Sequence, residues 1–253
     1  MARPVPPALR ALLEHLVDYA GTFPPAALPC AVAAANFAEY RQGERAWMLR
    51  RLVVGAADLD RVPAAFDGAL TVLSESDQPR AAAIESKCVV AAARPVYCEV
   101  PIAELDAVKR AGCFAKMRTG GVKPEAVPSV ADVAAFVRAC ADRRLAFKAT
   151  AGLHHPVRAE QALTYEPNAP RAVTHGFLNV FLAACFAWDG DRDIEPILAE
   201  TDPTAFRFDG RAHWRDRSLD VDDVRAARAN FCHAFGSCSF EEPVRDLEAL
   251  GLL

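Results

Sequence analysis

The stretch that decides the fold is CFAKMRTGGVKPEAVPSVADVAAFVRACADRRLAFKATAG, Cys113–Gly152. It reads as a strand and glycine turn (CFAKMRTGG), a helix N-capped by Ser129 (SVADVAAFVRACADRR) and a second strand (LAFKATAG). A helix lying between two strands implies parallel pairing, the βαβ unit.

The same alternation extends outward from this unit. DYAG, RRLVVGA, ALTVLSES, PVYCEVP and HAFGSCSF read as further strands. PPALRALLEHLV, PPAALPCAVAAANFAEYRQG, ADLDRVPAAFD, DQPRAAAIESKCVVAAA, IAELDAVKRAG, DVDDVRAARANFC and EEPVRDLEALGLL read as helices. AFRFDGRAHWRD suggests a hairpin turning at Asp209–Gly210, and residues 153–174 show no clear period. Seven clear strands and one uncertain one, in 253 residues, fit an α/β fold of the (β/α)8 TIM-barrel type, a single domain over residues 1–253. An open doubly wound sheet is the alternative, but the turn after the first strand carries no GxGxxG.

Composition narrows the functional class. The chain is 52% hydrophobic and 25% charged with net charge −4, which gives no basic footprint for nucleic acid. Aromatic residues are 8% and scattered, so no base-stacking platform is expected. The longest apolar run, GFLNVFLAACFAW (Gly176–Trp188), is too short to span a bilayer and reads as a buried helix. The N-terminal sequence lacks a signal-peptide core, so a cytoplasmic protein with its eight cysteines reduced is expected. Homo-oligomer formation is left open.

In a barrel, alternate strand residues point inward. Lys116 then shares an inward face with Phe114 and Arg118, Lys148 with Thr150, and Glu99 with Tyr97. Three neighbouring strands would bring these ionisable groups to the C-terminal end, where barrel active sites are built. A lysine whose pKa is depressed by burial or by neighbouring cations can attack a carbonyl and form a Schiff base. The bland reading is a lysine that reaches solvent or simply pairs with Glu99. Counting Lys116, Arg118 and Lys148 against one clear carboxylate, the empty site would favour an anion.

The run CFAKMRTGG…SVADVAAFVRAC…LAFKATAGL resembles the central part of deoxyribose-phosphate aldolases. The resemblance implies a class I aldolase-type lyase that needs no cofactor or metal, with Lys116 as the Schiff-base lysine and Lys148 as its partner. It places Glu99 at an acidic strand end. It likens FGSCSF (Phe235–Phe240) to a phosphate-binding turn, giving Gly236, Ser237 and Ser239 a phosphate role. Arg118 and the Gly120–Gly121 turn would complete binding of a small anionic carbonyl metabolite. The sequence departs from that pattern after Lys148, where ATAGL stands in place of ASGG, and in a longer segment before FGSCS.

Other candidates follow the second strand. His154 and His155 sit in a loop at the expected catalytic end and suit proton transfer near neutral pH. His175 opens the apolar helix and could face the barrel mouth or serve only the helix end. A metal-assisted lyase or hydrolase is the rival reading, with Glu99, His154, His155, His175 and Asp18 or Glu75 as donors, though no HxH, HxxxH or HExxH spacing occurs. A non-catalytic barrel binding an anionic metabolite is the other. GSCSF lacks a G-x-S-x-G elbow, so Cys238 reads as a packed thiol.

Overall fold

The computed structural model describes residues 4–253. Helix α1 (Pro7–Leu13) leads into strand β1 (Val17–Tyr19), and α2 (Cys30–Tyr40) into β2 (Leu49–Gly55). Strands β3 (Leu70–Leu73), β4 (Ala83–Ser86) and β5 (Val96–Cys98) follow, then α3 (Leu105–Arg110), β6 (Phe114–Arg118), α4 (Val130–Asp142) and β7 (Phe147–Thr150). Next come a hairpin, β8 (Ala159–Ala162) with β9 (Arg171–Thr174), and helices α5 (Phe177–Trp188) and α6 (Glu195–Ala199). A small sheet of β10 (Phe206–Phe208), β11 (Arg211–Trp214) and β12 (Arg217–Asp220) precedes α7 (Val221–Asn230), β13 (Cys232–Ser237) and α8 (Glu241–Ala249).

Strands β1 to β7 and β13 close into an eight-stranded parallel barrel, with β1 paired to both β2 and β13. This is the expected TIM-type barrel. The βαβ unit around α4 forms as read: Ser129 and Asp132 make a reciprocal capping box, which satisfies donors that a helix start leaves open. In the β6–β7 ladder Lys116 stands opposite Lys148, and Arg118 opposite Thr150.

Three segments differ from expectation. Residues 77–93 hold strand β4 in place of a helix. The alanines there mimic helix composition, yet all four residues of β4 are buried, because a barrel strand is covered on both faces and shows no alternation. ADLDRVPAAFD makes two short 3-10 turns, Ala56–Arg61 and Ala64–Phe66. The aperiodic segment after β7 contains the β8–β9 hairpin, whose residues reach over the barrel mouth. The hairpin at Asp209–Gly210 forms and is extended by β12 into a three-stranded antiparallel sheet.

Helix α5 is buried from Phe177 through Ala187. Phe177 and Phe181 lie against Phe235 of β13. Its one polar residue in that run, Asn179, donates to the carbonyls of Ile197 and Glu200 at 2.8 and 2.9 Å and accepts from the Arg158 amide at 2.9 Å. Asn179 therefore fastens the β8 hairpin and the end of α6 to the barrel helix. Among the described residues no helix is long and apolar enough to cross a membrane.

Candidate active site

A cavity of about 390 Å³ opens at the C-terminal end of the barrel. Glu85 and Lys116 lie at its floor, and Arg118, Thr150 and Gly236 come from the strand ends. The loop after β1 supplies Phe23, Pro24 and Pro25, and the hairpin supplies residues 161–165 on another side.

Beneath the cavity runs a chain of charges. Lys148 is 0% exposed and donates to Asp18 Oδ2 and Glu85 Oε1, each at 2.5 Å. Burial opposes its charge, but the two carboxylates outweigh burial and hold its pKa above the ordinary value. Glu85 bridges both lysines, its Oε2 accepting from Lys116 Nζ at 3.0 Å. Burial would raise the Glu85 pKa, yet Lys148 and Lys116 together bring it down to about 2. Lys116 Nζ also lies 3.0 Å from Glu99 Oε2, and Glu99, unlike Glu85, is 24% exposed. Deeper in the barrel, Arg50 approaches Asp18 at 3.7 Å and donates to the Tyr97 hydroxyl at 3.2 Å, which is 2.9 Å from His233 Nδ1.

The charge count is thus corrected. The cations of this chain are Lys116, Lys148 and Arg50, and Asp18, Glu85 and Glu99 match them one for one. Lys148 lies under the cavity and does not line it, so the two amines are not equivalent. Arg118 stands apart from the chain: it is exposed, lines the cavity, and has no ion-pair partner among the described residues.

Glu85 and Asp18 are the residues that sequence reasoning underrated. Glu85 was hidden by reading its strand as a helix. Asp18, named only as a metal donor, proves to be a buried counter-ion. The available signal was a charged residue inside a short apolar run on each strand.

The glycine turns serve close packing. A Cβ on Gly120 would come 2.9 Å from Gly152 Cα, and one on Gly152, where φ is +77°, 2.7 Å from Gly120 Cα. The loops after β6 and β7 can cross only without side chains. Gly121 lines the cavity, and a Cβ there would meet Ala126 at 2.8 Å.

The two adjacent histidines both reach helix α8. His154 Nδ1 is 2.6 Å from Glu242 Oε2, and His155 Nδ1 is 2.5 Å from Asp246 Oδ2. Both rings line the cavity. Burial works against a charged His154, but contacts with Cys238 and Glu242 prevail and push its pKa up to about 9. His175 takes the structural course: it is buried, its Nε2 donates to the Pro128 carbonyl at 2.8 Å, and it is not part of the cavity wall. Burial lowers its pKa.

The FGSCS turn points differently from its expected phosphate role. Ser237 Oγ accepts from the Ser239 amide and Ser239 Oγ from the Glu242 amide, at 3.3 and 3.1 Å. Both hydroxyls organise the start of α8, while Gly236 and Cys238 face the cavity. Cys238, read from sequence as a packed thiol, is buried yet part of the cavity wall. All eight cysteines are unpaired, and Cys88 is the exposed one. Among the described residues no group of three or more His, Cys, Asp or Glu side chains is arranged to hold a metal ion.

The fold and site together define a TIM-type barrel with a carboxylate-paired lysine at the floor of its C-terminal cavity. A scan of protein-family models finds no match, and neither do searches of curated proteins and of solved structures.

Proposed function

We propose that the protein is a class I aldolase-like lyase of the cytoplasm. It would act on a small phosphorylated or carboxylated carbonyl metabolite through a Schiff base on Lys116. One observation carries this reading: of two lysines in register on adjacent strands and joined through Glu85, only Lys116 presents its amine to the cavity.

Lys148 is held beneath by Asp18 and Glu85, and Lys116 must give up a proton before its amine can attack. Glu99, at 3.0 Å and open to solvent, is placed to receive that proton. The freed amine attacks the carbonyl carbon, and the carbonyl oxygen departs as water after protonation. The resulting iminium withdraws electrons from the neighbouring carbon–carbon bond, which breaks or forms. Arg118 at the rim would hold the anionic end of the substrate.

Borohydride reduction in the presence of short aldehydes and keto acids tests the reading. The expected result is a reduced adduct on the peptide containing Lys116. Its absence across phosphorylated and carboxylated carbonyl compounds would overturn the reading and leave a barrel that binds anions without covalent chemistry.

A further inference from the structure

The wall of the same cavity holds a second constellation, which the lysine chemistry does not use. Cys238 follows β13 and faces His154, with Sγ 3.9 Å from Nε2. The other ring nitrogen, Nδ1, is 2.6 Å from Glu242 Oε2. Tyr165, from the segment after β8, places its hydroxyl 3.2 Å from Glu242 Oε2 and 3.6 Å from Cys238 Sγ. His154 and Tyr165 thus meet the Cys238 sulfur, Glu242 joins the two of them, and all four residues line the cavity.

The order of contacts is that of a nucleophile, a base and a group that orients the base. A carboxylate on Nδ1 fixes that nitrogen as the proton donor, which turns Nε2 toward the sulfur. The loop LHHP explains how the sequence builds it. His154 and His155 both reach α8, but they pair with different carboxylates one helical turn apart, Glu242 and Asp246. Of the two rings, only His154 meets a thiol. The serines flanking Cys238 are bound within the turn, and that fixes the direction of the cysteine between them.

We propose that Cys238, His154 and Glu242 form a nucleophilic triad that transfers the acyl group of a small ester or thioester bound in the barrel cavity. The Cys238 proton rests on His154 Nε2, and the thiolate attacks the acyl carbon. A carbon–sulfur bond forms while the carbonyl electron pair moves to oxygen. Its return expels the alkoxide or thiolate, which takes the proton from His154. Solvent water then gives a proton to His154 and attacks the thioester. The carbon–sulfur bond breaks, the acid leaves, and the thiolate–imidazolium pair is restored. Burial opposes a charged His154, but Cys238 and Glu242 outweigh it and push the ring pKa up to about 9, in keeping with the charged ring this cycle begins with.

The inference stands apart from the lysine reading, because it concerns a thiol and an ester where that reading concerns an amine and a carbonyl. The probe is 4-nitrophenyl acetate with the unmutated protein, followed by peptide mapping. The expected result is a stoichiometric burst of nitrophenolate and an acetyl group on Cys238, then slow turnover. His154→Gln and Cys238→Ser should each lower the burst rate by roughly 10²-fold or more. Iodoacetamide gives a second readout that needs no variant. Cys238 should keep its alkylation rate as pH falls from 8 to about 6, while free glutathione, an ordinary thiol, slows about tenfold per unit. Acetylation found on Lys116 or on Cys88 alone, or a Cys238 rate that falls in parallel with that of glutathione, would overturn the proposal.

Discussion

Glu85 carries more of the site than any other single residue. It is buried, and it accepts from two ammonium groups that have few other ways to be neutralised. Glu85→Gln keeps the shape and removes the charge, leaving Lys148 with Asp18 and Lys116 with Glu99. The expected loss is about 3–5 kcal/mol of unfolding free energy, the range for breaking a buried ion pair from one side; chemical denaturation measures it. The pH dependence follows from the lowered pKa. The Glu85 contribution is complete above about 4.5, the unperturbed value, and is lost as pH falls through about 2. His154 has the opposite sign. Its folded pKa is raised to about 9, so its contribution is complete below about 6.5 and is lost as pH rises through 9. The difference in Tm between the protein and His154→Gln should therefore be largest near pH 6 and shrink above pH 9. No such shrinkage would mean that the ring is held by packing alone.

Elements differ in how openly the sequence declares them. The β6–α4–β7 unit was legible because each part carries its own local signal: alternating strand faces, a serine cap and glycine turns. Strand β4 was not. Its AIES is buried on both faces, and the alanines around it carry a helical composition without a helical partner to pack on. The β8–β9 hairpin was also obscure, because its residues are largely exposed or half-buried and leave no apolar stripe. Asn179 shows what its attachment depends on. Asn179→Leu would strip the Arg158 amide and the Glu200 carbonyl of this partner, and leave the Ile197 carbonyl only the Glu200 amide at 3.4 Å. At about 1–3 kcal/mol for each buried polar group left unsatisfied, a loss of at least about 2 kcal/mol is expected, with faster amide exchange in β8 and α6. Gly152→Ala acts on the crossing of two loops. It adds a Cβ 2.7 Å from Gly120 at a positive φ, and should lower stability by about 1–3 kcal/mol, as thermal unfolding would show.

At the scale of the whole molecule, the barrel interior is a column of charge where most barrels pack branched apolar side chains. Contacts run from His233 and Tyr97 through Arg50, Asp18, Lys148 and Glu85 to Lys116 and Glu99. The column joins the C-terminal cavity to a second one of about 460 Å³, lined in part by Arg50, His233 and Arg228. The barrel itself was readable from strand and helix spacing. The column was readable only in half: the lysines and Glu99 stand out within their strands, but the pairing of the lysines with Asp18 and Glu85 depends on strands 31 to 130 residues away in sequence. Such neutrality also changes what the site attracts. With the floor balanced, the free cation of Arg118 should govern anion affinity, and Arg118→Ala should weaken binding of phosphorylated or carboxylated metabolites while leaving Tm unchanged. Calorimetry at two salt concentrations would show it, since binding to an exposed arginine weakens as salt rises.

In the proposed reaction Lys116, not Lys148, is the reactive amine. A crystal structure of the protein after borohydride reduction with a short phosphorylated or carboxylated aldehyde tests it most directly. The expected result is electron density continuous with Lys116 Nζ, the anionic end of the adduct against Arg118, and Lys148 still held by Asp18 and Glu85. Lys116 unmodified between Glu85 and Glu99, or an adduct on Lys148, would contradict it.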